Sequence, residues 1–185
     1  MRRKPAYHHG DLRNALISAA LEILEASGAE GLTLRGVAAR AGVSHAAPAH
    51  HFANIKSLLT ALCTIGFLRF HETIALTCAA APHNGPSQLR AASAGYLTFA
   101  TSQPELFRLM FSTPASDWTD EDLCAASLRA RAQLAEVCRP AAEALGLKAL
   151  DDRGRLERLV WSGADGHADV LIVEADFVLD EAIAR

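Results

Sequence analysis

The sequence predicts an all-α protein in which a small N-terminal unit of short helices precedes a larger helical body. Three observations predict it. Alanine and leucine dominate a chain of 185 residues that is 50% hydrophobic and 21% charged, and both residues lose little conformational freedom in a helix. Apolar residues recur at spacings of three and four, which gathers them on one face of a helix. No stretch alternates apolar and polar residues in the manner of a half-buried strand, and no segment repeats.

Residues 1–10 read as a flexible basic arm holding Arg2, Arg3 and Lys4. Asp11 stands as the N-cap of the next helix, whose stripe is Leu12, Leu16, Ala20 and Ile23. Gly28 supplies a left-handed stop after Ser27, and Glu30-Gly31 continues the turn. Thr33 caps a second, short helix with the stripe Leu34, Val37, Ala38 and Ala41, and Gly42 ends it. Ser44 is expected to cap a third short helix that finishes near Phe52. Asn54 then begins a long helix reaching about residue 80.

Pro82-His83-Asn84-Gly85-Pro86 is the clearest break in the chain. Ser87 opens a helix to about Ser102, and Pro104 starts a short one through Met110, since proline is tolerated in a first turn. Residues 112–119 read as a loop. A long helix follows from Asp120 to about Leu145, kinked or divided at Pro140, and Gly146 caps it. Residues 151–175 form another helix, and 177–185 suit a last short one.

The segment 33–52 carries the most information. Two short helices meet through a tight turn at Gly42-Val43, small Ala38 and Ala39 let them approach, and Val43 fills the angle between them. That is the physical recipe of a helix-turn-helix, whose second helix enters the major groove of DNA. Ser44, His45, Ala46, Ala47, His50 and His51 offer the small and polar outer face such a helix needs. Small residues permit close approach to thymine methyls, and serine or histidine can bond base edges or phosphates. Thr33, Arg35 and Lys56 complete the expected DNA contacts, near helix starts whose free N–H groups suit phosphate. The chain thus divides into an arm (1–10), a helix-turn-helix unit (11–54) and a body (55–185).

Charge distribution agrees with this division. Seven basic residues face four acidic ones up to Lys56, a balance of +3, so the remainder carries −6 of the net −3. A basic front on an acidic body is expected where only the front meets phosphate.

From Gly10 to Phe52 the chain resembles the tetracycline-repressor (TetR) family: a basic arm, a helix, the run GLTLRGVAARAGVS, a short helix ending in His-Phe, and an Asn-led fourth helix. The resemblance extends over residues 10–70. "YHHGDLRNAL" and "GVSHAAP", with Trp161-Ser162 and Asp165-Gly166 near the end, resemble one branch of that family with a Trp/His-Gly element. The resemblance implies a transcriptional regulator, usually a repressor, that binds a palindromic operator as a homodimer. It also implies a small-molecule effector of unknown identity and a cavity among the body helices. Phe67, Phe70, His71, Tyr96, Phe99, Phe107, Met110, Phe111 and Trp118 are candidate lining residues, though ordinary core packing would account for any one of them. The last long helix carries Leu156, Leu159, Val160, Gly163, His167, Val170 and Leu171 along one side. By resemblance this stripe pairs across a two-fold axis; covering the monomer's own core is the other reading. Arg2, Arg3 and Lys4 lie in or near the minor groove, or are disordered. Both readings stay open.

The chain departs from the family at three positions. Ala49 stands where a backbone-touching tyrosine is common, Ile55 precedes Lys56 where a lysine often opens the fourth helix, and Pro48 removes a donor from the recognition segment. Fewer phosphate contacts weaken binding and flatten its salt dependence, with His50 and Lys56 placed to compensate.

Other classes fare worse. Adjacent histidines such as His8-His9 and His50-His51 point about 100° apart on a helix and do not chelate one ion, so no metal or other cofactor is expected. No phosphate-cradling glycine loop, H-E-x-x-H pair or Gly-x-Ser-x-Gly elbow is present, and an enzyme is not expected. A ligand-independent DNA-binding or protein-interaction module remains the alternative. Cys63, Cys78, Cys124 and Cys138 form no C-x-x-C pair and read as buried free thiols. With no signal peptide and no apolar stretch read as long enough to span a bilayer, a cytoplasmic protein without membrane attachment is expected.

Overall fold

α1 begins at His9 and runs to Ser27, so Asp11 lies within its first turn and not at its cap. A computed structural model describes residues 9–111 and 116–144 of the chain. Arg2, Arg3, Lys4 and the stripe from Leu156 to Leu171 lie outside the described residues. Every regular element among the described residues is helical, as the composition and periodicity predict.

Gly28 stops α1 at φ 67, and a short 3-10 turn, Ala29–Gly31, leads to α2, Leu34–Arg40. The Thr33 hydroxyl accepts from the Gly36 N–H at 3.0 Å, the expected cap. Gly42, at φ 68, reverses the chain after α2; only a residue without a Cβ enters that region freely. Val43 then donates to the Ala38 carbonyl at 3.0 Å, which pins the turn between the two helical pieces.

The third helix differs from expectation. It is a single 3-10 turn, Ala47–His50, with Ala46 and not Ser44 at its N-cap. Ser44 contributes only its carbonyl, which accepts from the Ala47 N–H at 3.0 Å. The reason is Pro48: it has no N–H to donate and it disfavours α geometry at Ala47.

Asn54 and Ser57 form a reciprocal cap, Asn54 Oδ1 accepting from the Ser57 N–H at 2.9 Å and Ser57 Oγ from the Asn54 N–H at 3.2 Å. They open α3, Ile55–Ala79. α4 spans Gly85–Ser102 and is capped by Asn84, not Ser87. Its Gly85-Pro86 start fills first-turn positions that need no donor. α5 is Pro104–Phe111 and α6 is Glu121–Ala144. Asp120 Oδ1 accepts from the Leu123 N–H at 2.9 Å at the head of α6. α6 passes Pro140 as one helix, so the chain is not divided there.

α3 is the central helix and packs against α1, α4, α5 and α6. It is long and apolar enough to cross a bilayer by length and composition alone, although Arg69 and Glu72 interrupt its apolar run. Its apolar side chains, among them Leu58, Leu62, Phe67, Phe70 and Ile74, are instead fully buried by those neighbours. Two glycines set the closeness of the packing. A Cβ on Gly66 would stand 2.6 Å from Met110 Sδ, and one on Gly95 would stand 2.9 Å from the Ile74 Cα.

Around α3 the aromatic rings meet edge to face. Phe70 lies 5.4 Å from both Tyr96 and Phe99, Tyr96 lies 5.5 Å from Phe107, and Phe67 lies 6.0 Å from Trp118. Such pairs stabilise by about 0.5–1.5 kcal/mol beyond their area burial. Cys63 and Cys78 are buried free thiols as expected, whereas Cys124 is only half-buried.

Candidate nucleic-acid interface

The core of the N-terminal unit is built by Leu16, Ala20 and Leu24 of α1 with Leu32, Val37, Ala38 and Phe52, all buried. Packing these inward turns the opposite side of the turn outward. Thr33, Arg35, Ser44, His45, Ala46, His50 and Lys56 are exposed, and Ala47 and His51 are half-buried. The expected DNA contacts are therefore accessible, Ala47 and His51 only in part, but the short turn offers fewer side chains than a full recognition helix would. The Thr33 hydroxyl is already engaged in capping α2.

Three contacts brace this region. Arg40 Nε donates to Glu22 Oε2 at 2.7 Å, joining α2 to α1. Both side chains are more than half exposed, so this pair contributes at most about 1 kcal/mol. The Arg13 guanidinium lies 5.5 Å from the centre of the Phe52 ring and ties the start of α1 to the end of the recognition turn. Lys56 Nζ, in the first turn of α3, stands 3.9 Å from Asp117 Oδ1 in the loop before α6, a contact at the edge of the DNA-binding unit.

Asp117 is itself held. Its backbone N–H donates to the Thr60 hydroxyl at 2.8 Å, and its carboxylate accepts from the Thr119 hydroxyl at 2.8 Å. That bond and a second from the Thr119 backbone N–H, with a smaller contribution from Lys56, lower the Asp117 pKa below its ordinary value. Beside it, Ser116 Oγ lies 2.9 Å from Cys63 Sγ. Burial pushes the Cys63 thiol up to about 11 despite that hydrogen bond.

A groove of about 620 Å³ opens at this junction. Its lining comes from α1 (Arg13), the end of the recognition turn (His51, Phe52), the first half of α3, and the head of α6 with the preceding loop. The Nε2 of His51 is buried and finds no hydrogen-bond partner among the described residues. The groove carries no spacing signal in the sequence, because its walls come from separate elements.

The aromatic candidates of the body lie elsewhere. Phe67, Phe70 and Phe99 are fully buried, Tyr96, Phe107 and Met110 nearly so, Phe111 and His71 are half-buried, and Trp118 is exposed. With its amide turned to satisfy both neighbours, Gln133 donates to His71 Nδ1 at 2.7 Å. The Tyr96 hydroxyl is buried without a partner among the described residues, and burial raises its pKa well above the usual phenol value.

Comparison with known proteins places this geometry. Residues 16–62 match the family model for bacterial regulatory proteins of the tetR family, and residues 89–182 match a tetracyclin repressor-like C-terminal domain. A solved protein of unknown function from Rhodococcus sp. RHA1 is 28% identical, with a TM-score of 0.77 over 96% of this chain and 98% of that one. The TetR family transcriptional regulator PfmR from Thermus thermophilus shares the fold at 16% identity, with a TM-score of 0.64 over 89% of this chain and 97% of its own. A bacterial regulatory protein in the tetR family from Rhodococcus RHA1 does so at 18% identity, with a TM-score of 0.62 over 94% and 95%. No curated protein matches the chain.

Proposed function

The chain belongs to the TetR family of bacterial transcriptional regulators, and from that premise we propose that it is a homodimeric, ligand-responsive repressor and not an enzyme. It binds a palindromic operator in the cytoplasm through Arg35, Ser44, His45, Ala46, Ala47, His50, His51 and Lys56, with the N-cap Thr33 beside them. The observation that carries the reading is the packing of the N-terminal unit, which buries Val37, Ala38 and Phe52 and leaves Arg35, Ser44, His45, Ala46, His50 and Lys56 exposed, with Ala47 and His51 half-buried.

A two-fold dimer suits this task, because recognition elements about 34–36 Å apart reach successive major grooves. The stripe from Leu156 to Leu171 is the proposed pairing surface, and Trp161-Ser162 with Asp165-Gly166 supports the Trp/His-Gly branch. Arg2, Arg3 and Lys4 are proposed to reach the minor groove. An effector acts by binding the DNA-free arrangement better than the DNA-bound one, which shifts the population between them.

The test is selection of duplexes from a random pool by the purified chain, then footprinting and sedimentation. The expected result is an inverted repeat protected by a dimer. A monomer at working concentration, or equal retention of every duplex in dilute buffer, would refute the proposal.

A further inference from the structure

We infer that the groove between the DNA-binding unit and the body is an effector site for a short zwitterion with an apolar middle, of the dipeptide or ω-amino acid kind. This rests on the regulator reading above and names the ligand chemistry that reading leaves open.

The two sides of the groove differ in charge. Arg13 and His51 line it from the DNA-binding unit and Lys56 from the adjoining first turn of α3, whereas Asp117, Asp120 and Asp122 line it from the head of α6 and the loop before it, accompanied by Arg129. α3 forms the remaining wall, where Ala61, Ile65 and Leu68 are apolar and Ser57, Thr60 and Thr64 carry hydroxyls. A purely anionic ligand would meet the three aspartates, and a purely cationic one would meet Arg13 and Lys56. A molecule carrying its carboxylate toward the basic side and its amine toward the acidic side satisfies both. Its apolar centre then covers the α3 surface, where Leu68 is 42% exposed.

Two further observations point to an occupant. His51, a lining residue, has a buried Nε2 without a partner among the described residues, a polar atom in want of a hydrogen bond. The groove's volume of about 620 Å³ also falls within the range of small-molecule sites, roughly 300–1,000 Å³.

The position of the groove explains how occupancy would be felt at DNA. Lys56 is at once a groove residue, an expected phosphate contact and the partner of Asp117 at 3.9 Å. A ligand carboxylate on the basic side draws Lys56 away from phosphate. Bridging to the aspartates also fixes the angle between the recognition turn and the body. Competition for Lys56 opposes DNA binding.

The experiment is calorimetric titration of the full-length protein with alanyl-leucine and with ω-aminohexanoate. The N-acetyl dipeptide supplies the anion alone and the dipeptide amide supplies the cation alone. DNA binding without peptide is measured beside it on a duplex selected from a random pool. Zwitterions are expected to bind and weaken DNA binding, and each singly charged form to bind more weakly. Asp122→Asn and Arg13→Gln should each lower zwitterion affinity roughly fivefold, with Arg13→Lys retaining most of it if Arg13 acts through charge and not merely by stacking on Phe52. No heat from any zwitterion, with DNA binding intact, overturns this inference and leaves the regulator reading standing. Zwitterion binding that ignores both substitutions also overturns it, because the site is then elsewhere. Zwitterion binding lost on substitution, in a protein that binds no duplex, upholds the site and overturns the regulator reading.

Discussion

The Thr60 hydroxyl accepts a hydrogen bond from the Asp117 backbone N–H at 2.8 Å and donates to the Lys56 carbonyl at 2.8 Å. One buried side chain on α3 thus holds the loop that sets Asp117 beside Lys56. A residue buried in the body is in this way joined to the DNA-facing surface.

Thr60→Val keeps the shape and removes the acceptor, leaving the Asp117 N–H unpaired. Unfolding stability should drop by about 1–3 kcal/mol, read as a lower urea midpoint at unchanged slope. Thr60→Ser, which keeps the hydroxyl, should lose much less. Equal losses in both variants would show that the methyl matters and the hydrogen bond does not.

Lys56 and His45 should separate affinity from sequence choice. Lys56→Ala removes a charge from the phosphate side, so binding weakens on all duplexes and the salt slope shrinks by about one. His45→Ala should change the preferred operator while leaving that slope nearly constant. Competition assays at several salt concentrations check both, and a sequence-specific effect of Lys56→Ala would contradict its assignment.

Gly42 isolates a backbone effect. No atom lies within 4 Å of a Cβ placed there, yet its φ is 68. Gly42→Ala should therefore cost about 1–2 kcal/mol through left-handed strain alone, and Gly42→Asn should cost less. Gly95→Ala is the contrasting case, because its Cβ would meet the Ile74 backbone at 2.9 Å. There about 1–3 kcal/mol of overpacking outweighs the gain in helix propensity of about 1 kcal/mol. Denaturation midpoints of the three variants check the order.

Tyr96→Phe should leave the protein as stable or raise its stability by about 1 kcal/mol, since the hydroxyl has no partner among the described residues. The ring contacts with Phe70 and Phe107 persist in the variant. A marked fall in the thermal midpoint would mean that the hydroxyl is bonded in the folded chain.

Alkaline pH should destabilise the fold. Burial raises the Cys63 thiol from an ordinary value of 9.0 to about 11. Below the ordinary value both folded and unfolded thiols are neutral, and stability is intact. As pH rises from there toward 11, the unfolded thiol ionises first, and stability is progressively lost. Tyr96, also raised by burial, adds to the loss above its own ordinary value of 10.0. Cys63→Ala should flatten the first part of this limb in denaturation midpoints measured across that range, and an unchanged limb would contradict the assignment.

Local chemistry is legible wherever it decides local structure. Thr33 and Asn54 are caps because their side-chain oxygens reach the N–H groups of Gly36 and Ser57. The stops at Gly28 and Gly42 follow from the positive φ each adopts. Pro48 announces a disturbance, but its result, a 3-10 turn in place of a helix, depends on how many bonds remain once its donor is gone. Ser87 opens a periodic stretch and so resembles a cap, whereas Asn84 fills that role three residues earlier.

The helical class, most helix ends and the helix-turn-helix follow from the order of residues alone, because each depends on groups within a turn or two of one another. What the large side chains do is settled only by packing. Phe70 closes on Phe99 and Phe67 on Phe111 in the core, while the groove forms where Arg13, His51 and Asp122, far apart in the chain, are brought to one place against α3. A cap or a turn is a short-range bond, whereas a cavity is the space that packed helices fail to fill. Its position depends on every contact that sets their distance.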